Sequence, residues 1–132
     1  MRFSQIVAVD HVALEASPGA APDLVWLYSE VVGLGLIDEG PSEGRAGGSP
    51  RIRFRSGDIE LRYALVSDPV LEPVACRLTV EVPSLATVEE SLSGRAIRVE
   101  RIRGLRYTDR RLCLLDPGGN RITIRQQWPA WF

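Results

Sequence analysis

One strand pattern occurs twice in this 132-residue chain. Asp10-His11-Val12-Ala13-Leu14-Glu15-Ala16 aligns with Cys76-Arg77-Leu78-Thr79-Val80-Glu81-Val82, and Asp58-Ile59-Glu60-Leu61-Arg62 aligns with Arg121-Ile122-Thr123-Ile124-Arg125. The copies share an alternation of apolar and polar residues, which is the mark of strands with one buried face. They do not share polar chemistry. The first copy offers His11 and Glu60; the second offers Arg77 and Thr123.

The intervening segments repeat as well. In the first half, residues 5–16 alternate as a strand and Ser17-Pro18-Gly19 ends it. Pro22 and Asp23 suit a helix first turn, and Leu24, Leu27, Tyr28, Val31 and Val32 then share one helical face, stopped by Gly33 and Gly35. A short strand over 34–38 follows. The segment 39–50 holds four glycines, two prolines and two serines and is expected to be a loop. Strands over 51–54 and 59–66 flank the turn signal Ser56-Gly57-Asp58, and residues 68–73 form a linker. In the second half a strand over 76–82 precedes a helix capped by Ser84, with Leu85, Val88 and Leu92 on one face and Gly94 at its end. Strands over 96–102, 107–115 and 121–127 complete it, the last after Asp116-Pro117-Gly118-Gly119. Each half is β-α-β-β-β, so the chain is an internal duplication within one domain. Module one is expected over about 1–67 and module two over about 74–127, with an aromatic tail at 128–132.

Composition excludes several function classes. A net charge of −1 gives no general affinity for nucleic acid or a membrane surface. No apolar run reaches the roughly 20 residues of a membrane span, and the amino terminus carries no long apolar stretch, so a cytoplasmic location is expected. Cys76 and Cys113 lack metal-ligand spacing and are expected to be two buried thiols. All 16 basic residues are arginine. Arginine keeps its charge when desolvated and grips carboxylates and phosphates through two hydrogen bonds.

Three segments resemble the vicinal oxygen chelate superfamily of glyoxalases, bleomycin resistance proteins, fosfomycin resistance proteins and extradiol dioxygenases. They are Val9-Asp10-His11-Val12-Ala13, Tyr28-Ser29-Glu30-Val31-Val32-Gly33-Leu34 and Asp116-Pro117-Gly118-Gly119-Asn120-Arg121-Ile122. The resemblance implies an α+β fold: two tandem βαβββ modules whose mixed sheet curves into an open cleft with helices outside. It also implies a homodimer, and a divalent metal held from the first and fourth strands of each module. Here those positions are His11, Glu60, Arg77 and Thr123. Histidine and glutamate suit a metal, whereas threonine is a poor ligand and a guanidinium repels a cation. His11 and Glu60 are thus the metal candidates if one binds, with Glu81 or Glu15 as displaced ligands, and no cofactor is the favoured expectation.

Alternation places residues on faces without any appeal to family. Ile52, Phe54, Ile59, Leu61, Leu78, Val80, Ile122 and Ile124 should face the helices. The opposite face then carries His11, Arg51, Arg53, Arg55, Glu60, Arg62, Arg77, Glu81, Arg121, Thr123 and Arg125. These arginines either pair with Glu60, Glu81, Glu100 and Asp109 or hold an anionic ligand. The first functional expectation is a protein with a degenerate metal site that binds a small anionic or aromatic molecule, through Arg77, Thr123, Arg53, Arg62, Glu81, Arg121 and Arg125. The alternative is a metal-dependent lyase, isomerase or dioxygenase with a displaced metal site, in which His11 and Glu60 serve as catalytic base and partner. A third is a module that recognises another protein. With one histidine and no nucleophile elbow, phosphate loop or dinucleotide motif, the chain offers neither a serine triad nor a nucleotide site.

Overall fold

The computed structural model describes residues 11–41, 50–69, 78–95 and 97–128. Eight strands lie among them, in two four-stranded sheets. Strand β1 (His11–Ala16), β2 (Gly35–Pro41), β3 (Pro50–Ser56) and β4 (Ile59–Leu65) form the first in the order β1-β4-β3-β2. Strand β5 (Leu78–Val82), β6 (Val99–Ile102), β7 (Arg111–Leu115) and β8 (Arg121–Gln126) form the second in the order β5-β8-β7-β6. In each sheet the first and last strands pair in parallel and the remaining neighbours are antiparallel. The βαβββ order expected from the repeat is present twice, in two sheets that do not close into a barrel.

Helix α1 (Ala21–Val25) follows a 3-10 turn at Pro18–Ala20 and continues into a π-helical turn over Trp26–Val31. The amide of Val32 reaches the Leu27 carbonyl at 2.9 Å, five residues back, which widens the turn. Leu24, Leu27, Tyr28 and Val32 are still buried, as the periodicity predicts. Gly33 then takes a φ of 92°, a left-handed conformation that ends the segment. Helix α2 (Leu85–Ser93) starts where the Ser84 hydroxyl accepts the Thr87 amide at 3.3 Å, and it buries Leu85, Val88 and Leu92. Gly57, at a φ of 60°, opens the two-residue β3–β4 turn.

The helical segments and one face of both sheets share a single core. Ile52, Phe54, Leu61, Tyr63, Ile122 and Ile124 lie in it, each side chain worth roughly 1.5–3 kcal/mol on full burial. Ile59 shares their parity but is 45% exposed, because it starts β4 at the sheet end immediately after the turn.

Element ends differ from the sequence expectation in three places. Strand β2 runs on to Pro41, because pairing with β3 through Pro50 holds residues 39–41 despite their loop composition. A register shift between Leu36 and Asp38 accommodates them. Strand β6 starts at Val99, and a 3-10 turn at Tyr107–Asp109 precedes β7. Residues 1–10, the loop stretch 42–49, the linker from 70 onward with Cys76 and Arg77, and tail residues 129–132 lie outside the described residues.

Candidate functional site

On the first sheet, the face turned away from the core carries the expected polar residues. His11 is level with Glu60 on the parallel β1–β4 pair, and Ala13 is level with Arg62. Arg53 lies directly opposite Arg62, and Arg55 opposite Glu60. Like charges opposed across strands repel, and here carboxylates separate them. Glu60 accepts Arg62 Nε at 2.8 Å and Arg55 Nη2 at 3.4 Å, with Arg53 Nη1 at 3.7 Å. Arg53 also grips Asp38 through Nε at 3.0 Å and Nη2 at 2.7 Å. The Arg62 hydrogen bond holds the Glu60 carboxyl below the usual glutamate range, and the Arg53 hydrogen bond does the same for Asp38.

These contacts bear on a metal. No group of three or more histidine, cysteine, aspartate or glutamate side chains among the described residues is placed to hold one. Three guanidinium groups already surround Glu60, one of the two suitable ligands. The described donors do not make the three-ligand site that catalytic metals use.

The parallel pairings revise the alignment of the repeat. The Ala16 carbonyl accepts the Val66 amide at 2.9 Å, and the Val82 carbonyl accepts the Gln127 amide at 2.9 Å, so these rungs correspond. Counting back six residues from Val66 and from Gln127 puts Arg121, not Thr123, in the place Glu60 holds in the first sheet. Thr123 corresponds to Arg62 and is level with Thr79. The sequence alignment of the final strands is therefore out by two residues. Two is the alternation period, so every apolar position still matched.

The second sheet borders an opening. A groove of about 1270 Å³ runs where β6 begins and β7 ends, against the α1 segment of the first module. Of the sequence candidates, Thr123 and Arg121 line it. Thr123 is buried, and its hydroxyl lies 3.5 Å from Cys113 Sγ. The walls include Ile97, Ile102, Leu114, Leu115 and Pro117, with Arg98 and the carboxylate of Glu100 beside them. Arg98 and Arg121 make no ion pair among the described residues. Beyond the groove lining, Arg125 is opposed to Arg111 and meets Glu81 at 3.5 Å. Of the acids expected as partners, Asp109 instead accepts the Arg106 amide at 3.1 Å. His11, Glu60, Arg53 and Arg62 are thus one cluster on the first sheet, while Thr123 and Arg121 belong to the groove. Arg77 is outside the described residues.

Sequence reasoning missed Arg98, Cys113, Trp26 and Arg95 as groove residues. Cys113 was legible from strand parity, which puts it opposite Thr123. Arg95 and Arg98 come from a helix end and a loop, where no period marks a face, and Trp26 lies mid-segment beside the buried face of Leu24, Leu27 and Tyr28.

The groove wall also includes Asp116, which joins the modules. Tyr28 donates to Asp116 Oδ2 at 2.6 Å, and Tyr63 donates to the same oxygen. Asp116 Oδ1 accepts the amides of Gly118 at 2.8 Å and Asn120 at 3.0 Å. The Asn120 side chain donates to the Glu15 carbonyl at 3.1 Å. Burial, with Asp116 beside them, pushes both tyrosine hydroxyls well above the usual phenol value. The Asp-Pro-Gly-Gly-Asn turn of module two is therefore seated in module one.

Known structures share this architecture. A glyoxalase/bleomycin resistance protein from Streptomyces sp. CB03234 is 20% identical, with 90% of this chain and 100% of that one covered and a TM-score of 0.60. The fold is that of the vicinal oxygen chelate superfamily. TnmS3, an antibiotic binding protein from the same Streptomyces, is 20% identical over 96% of this chain and 100% of its own, at a TM-score of 0.63. A mutant of the fosfomycin resistance protein FosX from Listeria monocytogenes, in complex with manganese(II) and a dihydroxypropylphosphonic acid, is 10% identical over 92% and 93% at a TM-score of 0.71. No protein-family model matches the chain, and no curated protein matches it.

Proposed function

We propose that this vicinal oxygen chelate fold binds a small anionic molecule with an apolar or aromatic body in the groove between α1 and the second sheet. The observation that carries this reading is the pair Arg98 and Arg121, which lack acid partners among the described residues and border apolar walls. An open groove of this size exceeds the roughly 300–1,000 Å³ of typical small-molecule clefts, so a ligand fills part of it. Guanidinium groups supply paired hydrogen bonds to a carboxylate or phosphonate, and the apolar walls supply burial. Thr123 adds a hydroxyl on the floor. Binding by TnmS3 of an antibiotic, and by FosX of a phosphonic acid, is consistent with a small-molecule role for the fold.

Calorimetry with naphthoate and with neutral naphthamide tests this. The acid should bind more tightly, weaken with added salt, and weaken again in Arg121→Ala and Arg98→Ala. Equal affinity for the amide, or no binding by the acid, rejects the reading.

The level placement of His11 beside Glu60 favours a second reading, a metal-dependent lyase, isomerase or dioxygenase that uses a displaced metal site. Titration with manganese, zinc, iron and nickel tests it, and no heat for any of them ends it. A homodimer belongs to the same proposal and is checked by light scattering. No helix among the described residues is long and apolar enough to cross a membrane.

A further inference from the structure

We infer that the groove selects a planar aromatic carboxylate, whose ring stacks on Trp26 where the Arg95 side chain now lies. This rests on the anion-binding reading above and adds the shape of the ligand's body. Trp26 is the one aromatic residue among the described lining of the groove. The Arg95 guanidinium carbon sits 3.9 Å from the centre of its ring. The same guanidinium reaches Asp23 Oδ1 through Nη1 at 3.3 Å. Asp23 and Trp26 are one turn apart on the α1 segment, and Arg95 follows α2 in the other module, so this stack spans the seam that the groove follows.

The guanidinium shows that a flat group fits over the indole. Its hold there is weak. The Arg95 and Asp23 side chains are 46% and 58% exposed, and an ion pair so solvated contributes little. A cation–π contact at an exposed site is also weak. A planar aromatic acid takes over both contacts of Arg95 and leaves the exposed Asp23 carboxylate to water. Its ring takes the indole face, and its carboxylate accepts Arg95 in place of Asp23. Ile97 and Pro117 offer apolar surface within the same groove. A saturated acid of the same skeleton and charge offers the carboxylate but has no flat face for the indole.

Naphthoate and its fully saturated decalin-carboxylate counterpart separate these cases in NMR titrations of the full chain. Naphthoate should bind about three- to tenfold more tightly, the range that aromatic pairing provides. Its binding should move the Trp26 ring protons upfield through the ring current. Trp26→Leu should erase the preference, and Arg95→Gln should weaken both acids while preserving it. Equal affinity of the two acids, or no ring-current shift at Trp26, overturns the stacking. If that equal affinity is lost in Arg121→Ala, the anion-binding reading survives alone. If neither acid binds, both fall. The ring-current shift is measured on the unaltered protein, so the test stands even where Trp26→Leu fails to fold.

Discussion

Tyr28 in the first module donates a 2.6 Å hydrogen bond to Asp116 in the second, across 88 residues of sequence. With Tyr63 and the amides of Gly118 and Asn120, it brings four donors to one buried carboxylate. A carboxylate with all these sites filled is well compensated for its burial. Tyr28→Phe removes one donor and keeps the ring in place against Phe54 and Tyr63. It should cost about 1.5–3 kcal/mol, the range for a hydrogen bond to a charged group. Asp116→Ala should cost more, because it strands four donors at once. Urea unfolding followed by circular dichroism measures both. A wild-type midpoint for Tyr28→Phe would show that the junction adds no stability.

The same cluster sets an alkaline limit. The Tyr28 and Tyr63 hydroxyls are held above the ordinary phenol value of 10.0, mainly by burial, with Asp116 adding to it at both; Tyr63 raises Tyr28 further, whereas the hydrogen bonds from Tyr28 and Asn120 act against the rise at Tyr63. A raised folded pKa stabilises the fold fully below the unfolded value, and that contribution is lost as pH rises through the folded one. Stability should therefore hold to about pH 10 and then fall. Absorbance near 295 nm should show two of the three tyrosines ionising only as circular dichroism reports unfolding. Ionisation of all three at an ordinary phenol pKa in the folded protein contradicts this.

How far these features were legible depends on whether a period marks them. The alternation of Arg51-Ile52-Arg53-Phe54 fixed which face of β3 is buried, and the spacing of Leu85, Val88 and Leu92 fixed the inner side of α2. Period-two reasoning is blind to a slip of two, so the repeat alignment placed Thr123 where the pairing puts Arg121. The Asp116 turn was recognisable as a motif, but its seat against Tyr28 and Tyr63 comes from the other module, and no local pattern encodes it. The Trp26–Arg95 stack is invisible for the same reason: its partners are on different helical segments. Strand β2 extended into a glycine-rich stretch because pairing with β3 outweighed local composition.

Gly118 lies where the Asp116 turn meets β1. A β-carbon there would come within 2.8 Å of the Ala16 β-carbon, with Asp116 Oδ1 at 3.3 Å. Ala16 is fully buried and belongs to a strand, so it has little room to withdraw. Gly118→Ala should cost about 1–3 kcal/mol, the usual range for overpacking. Gly19, whose added β-carbon would meet nothing, is the control: Gly19→Ala should be close to neutral. Thermal unfolding of the two variants compares them directly. Equal melting temperatures would mean that the turn is not pressed against β1.

Glu60 provides the acid-side counterpart. Its carboxyl is held below the ordinary glutamate value of 4.5, first by the Arg62 hydrogen bond and then by Arg55 and by the charges of Arg62 and Arg53, against the opposing effect of desolvation. A lowered folded pKa gives a contribution that is present above the unfolded value and is lost as pH falls through the folded one. The network should therefore weaken only below about pH 4.5, once the carboxylate takes up its proton. Carbon-detected NMR of the Glu60 carboxyl should show it still ionised where a free glutamate is half protonated. Arg62→Gln removes the 2.8 Å contact and should return the titration toward the ordinary value. The same variant leaves the groove residues Arg98 and Arg121 in place, so naphthoate binding should be unchanged. A shifted carboxyl titration with unaltered naphthoate affinity would separate the ion-pair cluster of the first sheet from the binding site of the second. A matching loss of affinity would join them into one site.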